Sequence, residues 1–154
     1  MTLIVDFCTE VQQHFKKLSP LIDADLATAL NRGFPEAIKF LLVEYDSPHF
    51  SEDFSVSIWP FNRRGEVAAD GYWFLKDWEV AVPPETYDSE RFEKIDPWAL
   101  ASELLVTWSI DRWRRCASNR PPAFIGHHDS YFKRNLDTGT QTNWDEIVGR
   151  FMNA

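Results

Sequence analysis

The chain predicts an α+β fold: a small antiparallel β-sheet packed by helices that lead and close the chain. Three observations carry the prediction. Apolar residues from Leu3 to Leu18 recur at three- and four-residue spacing. The stretch from Phe54 to Val82 alternates apolar and polar residues between turn signals. Asp96-Pro97 then opens the longest helix-like run of the sequence.

In order, Ile4, Phe7, Cys8, Val11, Phe15 and Leu18 share one helical face. Ser19-Pro20 predicts the end of that helix, because the residue before a proline avoids the helical region. A second short helix is predicted from Asp23 to Asn31, with Asp23 as N-cap and Gly33 as stop. Residues 36–45 contain the run Ile38, Phe40, Leu41, Leu42, Val43, which fits a helix or a buried strand equally well. Phe54 to Ile58 has the alternation of a half-buried strand, Asn62 to Gly65 reads as a turn, and Asp70-Gly71 as a hairpin turn. Tyr72–Leu75 and Trp78–Val82 complete a meander of about three strands over residues 54–82.

Pro83-Pro84 ends the meander. A long helix follows around residues 97–116, with Asp96 as N-cap and Pro97 at the first helical position, where its missing N–H costs nothing. The C-terminal strands fall within residues 123–136: Ala123–Gly126 and Ser130–Leu136. Asn143 and Glu146 have the spacing of a capping box, in which the glutamate reaches back to the cap. Ile147, Val148, Phe151 and Met152 give the last helix its apolar face. Neither a repeat nor a dividing linker interrupts residues 1–154, so one globular domain is expected.

Composition narrows the function classes. A chain of 154 residues, 44% hydrophobic, buries about 70% of its unfolded surface and needs no metal or disulfide to fold. Seven Trp and twelve Phe exceed what so small a core needs, so some are expected in a groove or an interface. The start, Met1 to Asp6, lacks the basic and apolar regions of a signal peptide, and no segment has the ~20 apolar residues of a membrane span. Cys8 and Cys116 belong to no ligand pattern and read as buried free thiols. The cytoplasm is the expected compartment, without a membrane partner.

Charge is segregated. Residues 44–96 hold thirteen Asp/Glu against five Lys/Arg, a net of −8, while residues 97–154 hold six against seven, a net of +1. Within the acidic stretch, Asp77, Glu79, Glu85, Asp88, Glu90 and Glu93 are interleaved with Trp73 and Trp78. Carboxylates set among aromatic rings steer and anchor a basic protein. The same charge argues against nucleic acid as a partner, despite the Arg112-Trp113-Arg114-Arg115 cluster. That cluster reads as a helix end complementing its own dipole.

Candidate chemistry is sparse. Asp137-Thr138-Gly139-Thr140 resembles the Asp-Thr-Gly signature of aspartic proteases, in which two carboxylates share a proton. One copy stands here, Asn135 breaks the apolar lead-in, and only fifteen residues follow Gly139, so a turn is the better reading. His127-His128-Asp129 is the one place where acid–base groups gather. In an extended strand the two histidines point to opposite faces, and no further histidine stands at zinc-ligand spacing, so neither metal nor other cofactor is expected. Glycine-rich phosphate loops and nucleophile elbows are absent from the sequence.

Two functional classes remain. The first is an acidic interaction protein that occludes a basic partner, in the manner of an immunity protein or antitoxin, through Trp73, Asp77, Trp78, Glu79, Glu85, Asp88, Glu90 and Glu93. The second is a small hydrolase or small-ligand-binding enzyme using His127, His128 and Asp129. A homo-oligomer that buries its surplus aromatics against a copy of itself is also compatible with the composition.

Overall fold

The computed structural model describes residues 2–31, 34, 36–45, 55–67, 78–79, 90–115 and 120–152. In chain order these form α1 (Leu3–Asn31), β1 (Ile38–Tyr45), β2 (Ser55–Asn62), β3 (Trp78–Glu79), a 3-10 turn (Glu90–Phe92), α2 (Pro97–Arg114), β4 (Ala123–His127), β5 (Phe132–Asn135), β6 (Gln141–Asn143) and α3 (Trp144–Phe151). The fold is α+β. The strands make one sheet in the order β3-β2-β1-β4-β5-β6. All neighbouring pairs are antiparallel except β1 and β4, which run parallel, Leu41 to Tyr45 beside Ala123 to His127. A parallel pair needs a long crossover, and the segment between β1 and β4, which includes α2, supplies it.

The ambiguous run at residues 36–45 is the central strand β1. Its side chains are buried on both faces, which is why it is apolar without alternation. Leu41 and Val43 join Ala123 and Ile125 under α1 and α2. Phe40 and Leu42 join Phe124 and Ile147 on the opposite face, where Phe61, Trp144, Phe151 and Met152 pack around them. An irregularity in register between Ile38 and Phe40 shifts the alternation, so that Ile38 lies with the α1–α2 face.

Among the helices, one boundary differs from the sequence expectation. Residues 3–31 form a single helix with Pro20 inside it, and Asp23 is a mid-helix residue rather than a cap. An internal proline costs about 3 kcal/mol. Contacts on both sides of it offset that cost: Phe7, Val11 and Phe15 before it and Ile22 and Leu26 after it enter the same core. Ser19 donates to the Phe15 carbonyl at 2.9 Å and accepts from Trp108 Nε1 of α2 at 2.9 Å. Phe15 stacks on Trp108 at 5.0 Å. Cys8, on the same helix, is a free thiol and is half-buried rather than buried.

The local signals at the other helices hold. Asp96 accepts from the Ala99 amide at 3.1 Å, with Pro97 at the first position of α2. Asn143 accepts from the Glu146 amide at 2.9 Å. The Glu146 carboxylate, expected to reach back to Asn143, instead accepts from the Thr142 hydroxyl at 2.7 Å. Gly65 closes the Asn62–Gly65 turn at φ +77°, a conformation that glycine adopts without strain.

Candidate functional site

The expected partner surface is described in part. Trp73, Asp77, Glu85 and Asp88 lie outside the described residues, as do Cys116 and the strand expected over residues 72–75. Trp78 and Glu79 form β3, the outer strand of the sheet, beside Val56 and Ser55 of β2. Glu90 opens the 3-10 turn and Glu93 follows it, and both are exposed. Arg91, between them, turns back onto α1 and pairs with Asp6 and Glu10, each at 2.9 Å. Phe92 anchors the turn in the core with its ring edge-on to Phe7 at 5.2 Å.

The basic residues of the C-terminal part all contact other groups of the chain, with Lys133 buried, Arg112, Arg120 and Arg134 half-buried, and Arg114, Arg115 and Arg150 exposed. Arg112 bridges Asp23 of α1 at 2.9 Å and Asp111 at 2.6 Å, and its own side chain is only 12% exposed. It thereby holds the Asp111 carboxyl below its ordinary range. Arg115 pairs with Asp111 at 3.4 Å. Arg114 donates to the Asp137 carbonyl at 3.0 Å, and Arg120 donates to the Asp137 carboxylate at 2.7 Å while lying over the Trp113 ring. Arg134 donates to the Gly139 carbonyl at 2.7 Å, and Arg150 lies over Phe151. Within the Arg112–Arg115 cluster, Arg112 thus clasps α2 to α1 and Arg114 reaches the turn at residues 136–140, while Arg114 and Arg115 remain exposed at the helix end.

That turn is the Asp-Thr-Gly segment. The Asn135 side chain accepts from the Asp137 and Thr138 amides, and Gly139 sits at φ +75°. The Asp137 carboxylate also accepts from Trp113 Nε1 at 3.1 Å. Its bonds to Trp113 and Arg120 account for its place in the turn without catalysis.

His127, His128 and Asp129 come together more closely than strand alternation predicts. His127 is the last residue of β4 and His128 the first of a turn, so the opposite-face rule stops applying between them. Their rings lie 4.7 Å apart. His128 Nε2 meets Asp129 Oδ1 at 3.1 Å, and the Asp129 amide donates to His127 Nδ1 at 3.2 Å. His127 also stands edge-on to Tyr45 at the end of β1.

A cavity of about 480 Å³ opens beside this turn, walled by His128, Asp129, Tyr131, Lys133, Glu44 and Trp144 among others. Lys133 is 4% exposed. Its Nζ donates to the His127 carbonyl at 2.9 Å and lies 3.9 Å from Glu44. Burial lowers its pKa, opposed by the charges of Glu44 and Asp129. Tyr131 donates to Asp145 at 3.0 Å, which raises the phenol's pKa and ties the residue before β5 to α3. Sequence reading missed Lys133, Glu44 and Tyr131 as wall residues. Gly126 was the available signal: a Cβ there would stand 2.6 Å from Lys133 Cδ, so the glycine makes room for the lysine stem.

No family model, curated protein or solved structure matches this chain. Among the described residues, no helix is long and apolar enough to cross a membrane.

Proposed function

We propose that the chain is an acidic interaction protein that binds a basic protein and occludes it, as an immunity protein or antitoxin does. The supporting observation is the contrast in how the two charge signs are used. All seven Lys/Arg of residues 97–154 contact other groups of the chain, as do Arg91 and its partners on α1. Glu90 and Glu93 stand exposed, in a segment with a net charge of −8. With these cations engaged by groups of the chain itself, the surplus carboxylates set the field that a basic partner meets, which raises its association rate. In this reading Trp73 or Trp78 fills a pocket on the partner, and truncating such an anchor costs about 2–4 kcal/mol of binding. No catalytic group of this chain takes part. The test is capture from extract of the source organism by wild type and by a variant with Glu85, Asp88, Glu90 and Glu93 changed to Lys. A basic protein held by wild type alone, and inhibited by it once purified, supports the reading. Equal capture by both forms, or self-association as the sole interaction, contradicts it.

The cavity favours a second reading, a small-ligand site at His127, His128 and Asp129. A concave pocket with aromatic walls and convergent polar groups, including a buried lysine, is the usual form of such sites. Screening polar small molecules by thermal shift checks it. A ligand whose stabilising effect disappears in His128→Ala supports it, and one that stabilises both forms equally sinks it.

A further inference from the structure

We propose that His127, His128 and Asp129 form a binding site for one divalent first-row transition-metal ion of the zinc class. The argument is geometric. Each residue offers one ligand atom, and the three atoms lie within 4.8 Å of one another. A four-coordinate ion at about 2.0–2.2 Å from its ligands needs those atoms roughly 3.3–3.5 Å apart. His128 Nε2 and Asp129 Oδ1, at 3.1 Å, are already close to that spacing. His127 turns its Nδ1 lone pair into the same turn, where it accepts from the Asp129 amide at 3.2 Å. Rotation of the His127 side chain would transfer that lone pair from the amide to the ion and bring the third ligand in.

Ligand chemistry selects the metal. Two imidazoles and one carboxylate suit Zn²⁺ and its neighbours, whereas Mg²⁺ and Ca²⁺ require mostly oxygen. Three protein ligands leave one coordination position open. Both His128 and Asp129 also wall the 480 Å³ cavity, so the open position borders a space that a small molecule can enter. The site goes beyond the partner-binding reading, and it shares its residues with the small-ligand reading without requiring a small molecule to bind. A zinc titration without small molecules reports the ion, and the small-molecule screen run in the presence of EDTA reports the cavity without it.

The test is equilibrium dialysis of the full chain, without a polyhistidine tag, against ZnCl₂ and separately against MgCl₂. Wild type is expected to hold one Zn²⁺ per chain and no Mg²⁺. His128→Ala and Asp129→Asn are each expected to weaken Zn²⁺ binding at least about tenfold, the usual scale for losing a contributor to a metal site. Both residues are exposed on a turn, and circular dichroism checks that the variants fold. Asp129→Asn, nearly isosteric, keeps the test decisive if His128→Ala does not fold. Absence of saturable Zn²⁺ binding to wild type, or wild-type affinity in folded variants, overturns the proposal.

Discussion

The acid-rich segment at residues 44–96 and the C-terminal part from residue 97 onward use charge in opposite ways. In the C-terminal part, charged groups hold the fold together. Arg112 ties α2 to α1, and Arg114 and Arg120 fix the turn at residues 136–140. In the acidic segment, the described carboxylates at Glu90 and Glu93 face water, while Arg91 between them is drawn onto α1. The lesson is that a region of near-zero net charge can be held together by many charged contacts, while Glu90 and Glu93 of the acidic segment stand in water.

Substitutions at six positions break or sharpen this comparison. The largest effect is expected at Trp113, 2% exposed, bonded to Asp137 and covered by Arg120. Trp113→Ala removes the surface on which that part is assembled and should lower unfolding free energy by about 3–5 kcal/mol in urea titration. Gly126→Ala comes next. Its Cβ would meet Lys133 Cδ at 2.6 Å and the Phe132 carbonyl at 2.9 Å, so a loss of about 1–3 kcal/mol is expected. Adding Lys133→Ala should recover part of that loss, because the backbone contact remains.

Arg112→Met should cost about 1 kcal/mol at neutral pH, since its carboxylate partners are about half exposed. The effect has a pH signature. Arg112 lowers the folded pKa of Asp111 below its ordinary 3.8. The stabilisation is therefore complete above the unfolded value and is lost as pH falls through the folded one. The gap between wild type and Arg112→Met should narrow on acidification below about pH 4. An unchanged gap at pH 2 would show that the guanidinium acts by packing alone. The smallest effect is expected at Glu90→Lys and Glu93→Lys, each within about 0.5 kcal/mol of wild-type stability. A larger loss would mean that these carboxylates are structural after all.

Much of this architecture was legible from single residues. Asp96-Pro97 and Asn143 announced their helices, because a cap is a local bond between a side chain and the next turn. Pro20 misled for the complementary reason: its local penalty is offset by contacts with α2, 89 residues away in sequence at the Ser19–Trp108 bond. The parallel pairing of β1 with β4 left no local mark, since register between distant strands is set by tertiary packing. At the candidate site, sequence supplied His127, His128 and Asp129 but assigned the histidines to opposite faces. A strand boundary displaced by one residue reverses that inference. Lys133 was hidden because its neighbour Phe132 is exposed and the lysine is buried, the reverse of the ordinary pattern.

The most direct test of the partner reading is a binding titration of the captured basic protein against wild type and the Glu85, Asp88, Glu90, Glu93 to Lys variant, at low and moderate salt. Saturable binding to wild type that weakens as salt rises, with at least about a hundredfold loss in the variant, is the expected result. Affinity indifferent to both salt and charge reversal would contradict the account, because these carboxylates would then have no part in recognition.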